Sequence, residues 1–424
     1  MTQAKQHAIS INLNKCTGCV HCLTACPTQA IRIRDGKARV IDRQCIDCGE
    51  CIRHCPRDAI ESHTTSFSDL QRFAYKVAIP ATALYGQFGN SVLPYEILYA
   101  LRKIGFDHVY DLSAICELYI AAVEEYLTEH AQPRPVIAST CPVVVRLIQR
   151  RFPALSELIV PFEPPREIGA KILRSTLPAA LKLKPEDIGI IHITPCPAKL
   201  VSINHPATMK KSFLDGAVSI RDIYPPILDI LRKKDDTAIM RHLFPDSSMS
   251  GLGIGWSISG GETRSLPKFR TVAVSGVQDT IHVLDQVESG LLRDVDYLEC
   301  MVCPDGCVGG PLSIENRFLA KSRILHLAKK AGDKSVIDRS EIRTMYRENF
   351  LSFQHPLEPQ PSAPLDADPA EAIRKAGLRD EILQRLPGKD CGFCGAPYCA
   401  TLADDIVRGL ADIRDCPMTW KETP

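Results

Sequence analysis

The chain has 424 residues, enough for about two to four domains, and 51 Lys+Arg against 50 Asp+Glu leave a net charge of +1. That balance excludes a nucleic-acid binder or membrane anchor that works through a broad basic face. A 45 % hydrophobic and 24 % charged composition excludes wholesale disorder.

No apolar run is long enough for a membrane span. The N-terminal MTQAKQHAISINLNK has neither an apolar signal core nor a twin-arginine pair, so a cytoplasmic location is expected. The 18 cysteines would then stay reduced, as soft ligands for iron–sulfur or zinc centres.

Eight of them form a repeat: Cys16-x2-Cys19-x2-Cys22-x3-Cys26-Pro, then Cys45-x2-Cys48-x2-Cys51-x3-Cys55-Pro, each cysteine recurring 29 residues later. Three thiolates on one tight loop can hold three corners of a cubane, and the fourth reaches across to the other repeat. One cubane is therefore expected on Cys16, Cys19, Cys22 and Cys55, the other on Cys45, Cys48, Cys51 and Cys26. Zinc would need two pairs per metal and leaves the shared spacing unexplained. A c-type haem is excluded because no C-x-x-C-H occurs. The segment, taken as residues 1–64, resembles a two-cluster bacterial-type ferredoxin domain. His21 and His54 fall inside the motifs with every ligand place taken, so they are expected to face solvent.

From residue 70 to about 350, short apolar runs alternate with helical patterns, as in KVAIPA then PYEILYALRKIG, or PVIAST then VVVRLIQRRF. This alternation predicts an α/β domain of parallel sheets covered by helices. Ligands of such sheets sit at the carboxyl ends of the strands, and Cys141, Cys196, Cys303 and Cys307 all follow strand-like runs. Singly, each would be a core residue; four placed alike suggest one buried site. Cys116, in SAICELYIAAVEE, is expected in the core, and Cys300 either in the core or lining that site. GLGIGW lacks the order of a nucleotide loop.

Three segments carry a specific resemblance: Ser139-Thr-Cys141-Pro, Thr194-Pro-Cys196-Pro-Ala-Lys199, and Glu299-Cys-Met301-Val-Cys303-Pro-Asp-Gly-Cys307-Val-Gly-Gly. In order, they resemble the three signatures of the iron-only hydrogenases, with the likeness covering roughly residues 75–330. The resemblance implies a two-lobed parallel-sheet domain and an H-cluster on Cys141, Cys196, Cys303 and Cys307. That cofactor is a [4Fe–4S] cubane joined to a di-iron unit bearing CO, cyanide and a bridging dithiolate amine. Lys199 matches the lysine that donates to a cyanide, and Met301 the methionine beside the bridging ligand. Pro80, in VAIPATA, matches the proline near the second cyanide, although Ala81 stands where a serine is expected. Ser259-Gly-Gly261 resembles the family's glycine turn near the cubane. The cofactor carries the chemistry; the protein supplies thiolates, a dry pocket and hydrogen bonds.

Departures from the family pattern concern protons. Thr140 stands where fast members carry a cysteine, and the rest of the relay falls on Val123, Tyr126 and Val160, with Ser202 in place of the second signature's glutamate. Glu124 and Glu125 are close in sequence but turned to different helix faces. A positioned proton carrier contributes about 10²–10⁴ in rate, so slow turnover is expected, with Thr140 a weaker substitute.

A Pro-rich stretch, HPLEPQPSAPLDADPAE, reads as a semi-rigid linker, placed at 351–370. Beyond it, in 371–424, Cys391-Gly-Phe-Cys394-Gly-Ala-Pro-Tyr-Cys399 is followed after a helical-looking spacer by Cys416-Pro. Four thiolates fit one [4Fe–4S] cluster, with structural zinc as the alternative. The segment resembles the small, helical Fe–S domain of corrinoid iron–sulfur proteins. Some relatives with such substitutions and such an extra domain are thought to be hydrogen sensors, often with a PAS domain; here eight residues follow Cys416, so an output would belong to a separate partner.

The expected function is thus reversible activation of H2, slow and compatible with sensing, with three accessory [4Fe–4S] clusters and an H-cluster. Expected partners are H2, protons, a redox or signalling protein and maturation proteins, with a homodimer left open and no nucleic acid. The alternative is a non-catalytic hydrogenase-like iron–sulfur protein in electron transfer or cluster assembly.

Overall fold

The computed structural model describes residues 7–131, 133–233, 249–360 and 364–418; residues 361–363 of the Pro-rich stretch lie outside the described residues. The chain forms two compact units, Met1–His63 together with Gln360–Pro424, and Thr64–Pro359.

In the first unit the cysteine repeat folds with an internal likeness. Strand Ile9–Ile11 pairs antiparallel with Ile60–Ser62, and Ile31–Arg34 with Lys37–Val40. One-turn helices His21–Thr24 and Glu50–Arg53 carry the third cysteine of each motif. Leu23, Ala30, Ile31, Ala59 and Ile60 fill the space between the cysteine loops, so apolar side chains exclude water where the thiols gather. His21 and His54 are exposed. In the C-terminal part, Asp368 caps helix Pro369–Arg385 by accepting from the Ala370 N–H. Helix Cys399–Val407 packs Leu402, Ala403 and Val407 on Ile382 of that helix and on Leu386 just after it, which brings Cys416 back beside Cys399 in one apolar cluster.

The second unit has the expected α/β character. Four parallel strands run in the order His108–Val109, Tyr75–Pro80, Ile188–Thr194, Gly216–Ser219; three more run in the order Thr271–Ser275, Tyr297–Met301, Val136–Ile137, again all parallel. All seven residues of Ile188–Thr194 are buried. A strand covered on both faces by helices reads as a continuous apolar run, which is why IGIIHIT lacks alternation. Two parallel sheets give two lobes, each presenting the carboxyl ends of its strands.

The GLGIGW run is a helix packed at backbone distance. Within helix Gly251–Ile254, a Cβ on Gly253 would lie 1.8 Å from the Ser113 carbonyl oxygen. Ser250 ties the contact: its N–H donates to the Ser113 hydroxyl (3.1 Å), which donates to Asp111 (2.5 Å). Gly253→Ala must separate two backbones, an overpacking that costs about 1–3 kcal/mol. The expected result is a lower thermal unfolding midpoint with unchanged cysteine content, read by calorimetry under anaerobic conditions.

Candidate metal centre

The mid-chain cysteines sit where parallel strands end. Cys141 follows Val136–Ile137 and directly precedes helix Pro142–Arg151; Cys196 follows Ile188–Thr194 and precedes helix Pro197–Asn204. In both, proline opens the helix, where its missing N–H leaves no donor unsatisfied. Cys303 and Cys307 follow Tyr297–Met301 on a tight loop. The two lobes therefore contribute from opposite sides, and all four thiols line one cavity.

Electrostatics show how close they are. Burial, with Cys141 and Cys307 nearby, pushes the Cys196 thiol up to about 11. Burial also raises Cys141, partly offset by backbone N–H groups of Val302, Val144 and Val143. Buried neighbouring thiols resist ionisation because each thiolate would be desolvated and repelled by the next. A bound cation reverses that balance.

The cavity encloses about 790 Å³ of empty space, mouth included. Its wall contains polar atoms that find no partner among the described residues: His192 Nε2, Trp256 Nε1, Ser257 Oγ and Arg166 Nε are buried without a hydrogen bond. His192 Nδ1 donates to the Ile79 carbonyl at 2.8 Å, so in the neutral ring Nε2 is an acceptor, while Trp256, Ser257 and Arg166 offer donors. Buried polar atoms left unpaired cost about 1–3 kcal/mol each, so four around one cavity point to polar atoms of a bound group. Lys199 Nζ lies 4.0 Å from Cys307 Sγ, and buried Met301 lines the same wall. On the proline side the wall is formed by Ala81, Thr82 and Ala83, whereas Pro80 ends its strand just behind them. Cys116 is buried and also reaches this wall; Cys300 is fully buried on its strand.

One functional residue was missed by sequence reasoning. Glu262, fully buried, lines the cavity and accepts from the Thr140 hydroxyl at 2.7 Å and the Tyr297 hydroxyl at 2.7 Å. Burial and the neighbouring Glu299 hold its carboxyl well above the usual carboxylate range. Glu299 is raised by burial as well, but it accepts from three backbone N–H groups, those of Gly260, Glu262 and Thr263. Those donors favour the anion on Glu299, so the proton settles on Glu262. The available signal was its place directly after the Ser259-Gly-Gly261 turn. At the other relay positions, Val123 and Val160 are apolar and buried and Tyr126 stacks on His130. Glu124 pairs with Lys268 and Arg339, and Glu125 with Arg343. Ser202 accepts from Arg166 at 2.9 Å.

In the first unit the thiols gather in crossed sets. The Cys22 thiol is pushed up to about 12 by burial and by Cys16, Cys19 and Cys55, and these four line one cavity. Cys48 and Cys51 are raised by burial and by Cys26 and Cys45. Backbone N–H groups point at the sulfurs with the same periodicity: Ala30 donates to Cys26 Sγ and Ala59 to Cys55 Sγ, both at 3.2 Å. Such bonds tune cluster potential. At the C-terminus, burial raises Cys394, with Cys416 and Cys391 adding to it.

The family pattern described as "Iron only hydrogenase large subunit, C-terminal domain" matches residues 74–235 and 253–311, just over half of the chain. The chain belongs to the iron-only hydrogenase family. A 4Fe-4S dicluster domain matches residues 8–56, and a putative Fe-S cluster domain residues 386–418. Among relatives, the periplasmic [Fe] hydrogenase large subunit of Nitratidesulfovibrio vulgaris is 25 % identical over 72 % of this chain and 86 % of its own length. The NADP-reducing hydrogenase subunit HndD of Solidesulfovibrio fructosivorans is 23 % identical over 43 % of this chain and 30 % of its own. Among solved structures, the [FeFe]-hydrogenase HydA(deltaEFG) is 17 % identical, with 69 % of this chain and 96 % of that chain covered at a TM-score of 0.49. HydA1 from Chlamydomonas reinhardtii, in a variant form, gives 17 % identity over the same shares at 0.47. Among the described residues no helix is long and apolar enough to cross a membrane.

The residues present fit the family's cofactor: four convergent thiols offer anchors, and orphaned polar atoms face the space beside them. Protonation of Glu262 gives a test in the protein alone. Below the ordinary carboxylate range both folded and unfolded chains are protonated, and the contribution to stability is whole. As pH rises the unfolded chain ionises first, so stability falls until the pH passes Glu262's raised value. Glu262→Gln should flatten part of that fall, measured as unfolding midpoint against pH. A wild-type profile already flat there would remove the protonated carboxyl.

Proposed function

We propose that this chain activates H2 reversibly at an H-cluster held by Cys141, Cys196, Cys303 and Cys307, served by [4Fe–4S] clusters on the three other cysteine sets. The observation that carries the reading is the single cavity lined by four thiols and by unpaired buried polar atoms. A non-catalytic iron–sulfur protein would need the four thiols but would leave those atoms without partners. When bound, the cofactor supplies a low-spin iron with an open position and an adjacent base, which protein side chains cannot provide.

The chain's own residues then have separable tasks. Lys199, beside Cys307, places a positive charge where an anionic ligand would lie. His192 Nε2, Trp256 Nε1 and Ser257 Oγ supply further polar contacts, and Met301 keeps the wall apolar. Glu262 holds a proton at the cavity edge, and the Thr140 hydroxyl, bonded to it, stands between that carboxyl and Cys141. Glu262 thereby takes the place of the two glutamates and one serine of the relay that are missing at Val123, Tyr126 and Val160. A hydroxyl gives up a proton less readily than a thiol, which keeps turnover slow and suits sensing. We place the protein in the reducing cytoplasm, with maturation proteins inserting the di-iron unit and a redox or signalling protein as partner.

The test is infrared absorption in the CO and cyanide stretching region after anaerobic maturation, with iron approaching about eighteen atoms per chain, four cubanes plus two. Complete cubane loading without those bands would sink the reading. Given the bands, Thr140→Cys should raise H2 turnover and Glu262→Gln should lower it, each by up to the roughly 10²–10⁴-fold of a positioned proton carrier. Equal rates in all three proteins would refute the proton assignment and leave the cofactor assignment intact.

A further inference from the structure

The C-terminal cysteine module is bolted to one hairpin of the ferredoxin-like part. The Ile33 N–H donates to the Gly395 carbonyl at 2.9 Å, adding the loop between Cys394 and Cys399 to the edge of strand Ile31–Arg34. Arg34 Nη1 donates to the Cys394 carbonyl at 3.1 Å. Gly395 adopts φ +77°, and a Cβ there would lie 2.0 Å from the Ile33 carbonyl oxygen, so only glycine permits the approach. Beside it, a Cβ on Gly392 would lie 3.0 Å from the side chain of Leu23, the neighbour of Cys22.

Charge reinforces the joint. Asp405, on the helix that begins at Cys399, accepts from Arg32 Nε at 2.5 Å and Nη2 at 3.1 Å, and from Arg34 Nη2 at 3.0 Å. Arg32 and Asp405 are both buried. Two guanidinium groups on one carboxylate leave a net positive charge at the joint, and charges act strongly in so dry a place. Thr401 adds a hydrogen bond to Gln29 at 2.5 Å. A tether of this kind is unlike a module that swings on a linker.

Ile33 has a second contact. Its side chain lines the cavity enclosed by Cys16, Cys19, Cys22 and Cys55. One residue thus touches the first cysteine set and, through its N–H, the residue next to Cys394. We infer that hairpin Ile31–Val40 is the fixed docking platform of the C-terminal module, and that Ile33 joins the Cys16/Cys19/Cys22/Cys55 and Cys391/Cys394/Cys399/Cys416 sites into an electronically coupled pair. The net positive charge of Arg32, Arg34 and Asp405 offsets the mutual repulsion of two anionic cluster sites so close together. The order of the relay follows: the C-terminal site connects through the first ferredoxin-like set to the third site, the Cys45/Cys48/Cys51/Cys26 set. This inference rests on the cubane assignments of the two sites and not on H2 chemistry.

Low-temperature electron paramagnetic resonance of the anaerobic, reduced full-length protein tests it, with iron and sulfide analysis alongside. The expected spectrum contains a magnetic interaction that disappears in Cys399→Ser, which removes one C-terminal ligand, while the interaction between the two ferredoxin-like sites persists. Arg34→Gln should lower the midpoint potentials of the C-terminal and first sites and leave that of the third unmoved; Arg34→Lys should restore most of the shift. A wild-type spectrum that is the plain sum of independent signals, with all cubanes present, overturns the coupling alone. Zinc in place of iron at the C-terminal cysteines overturns the cubane assignment and the coupling together.

Discussion

Clustered thiols in a dry interior are an unstable arrangement by themselves, and most of this protein is organised around creating it. Ionised, the sulfurs at Cys141, Cys196 and Cys307 repel one another across a medium that screens poorly; as neutral thiols they are weak ligands. Iron resolves the conflict, since a cation both discharges the repulsion and takes the lone pairs. The parallel sheets matter because they deliver thiols from separate strand ends to one place, and the prolines after Cys141 and Cys196 turn the chain away at once into helices. The ferredoxin-like repeat meets the same constraint with a shorter device, crossing its fourth cysteines between two loops.

What could be read from the sequence was whatever local spacing enforces. Cubane loops require cysteines a few residues apart, so Cys16 to Cys55 and Cys391 to Cys399 declare themselves. Parallel strands buried on both faces read as apolar runs such as IGIIHIT. What could not be read was pairing between distant segments. Glu262 lies 122 residues from Thr140, and Asp405 lies 373 residues from Arg32. Neither contact leaves a spacing in the sequence. Counting in register puts Val123, Tyr126 and Val160 in the relay positions and looks for compensation in adjacent residues, where Glu124 and Glu125 are engaged by surface cations.

The proton and electron sides of the molecule use opposite electrostatics. Around Glu262, burial and a second buried carboxylate favour the protonated form. Around Asp405, two arginines converge on one buried carboxylate and leave positive charge over. On the proposed reading, the first arrangement stores a proton beside the cavity. The second gathers positive charge where negatively charged cluster sites crowd together. Both are built from one acidic side chain and its neighbours, and the neighbours decide which ion moves.

The unpaired atoms of His192, Trp256, Ser257 and Arg166 have a consequence for the protein's life in the cell. A chain that has folded without its cofactor keeps these polar atoms dry and unanswered, and the penalty is released only on loading. Empty and filled forms therefore differ in resistance to unfolding by the free energy of the ligand they hold, and proteases that sample opened chains distinguish them. On the proposed reading, a supply of di-iron precursor would then set how much of the protein persists.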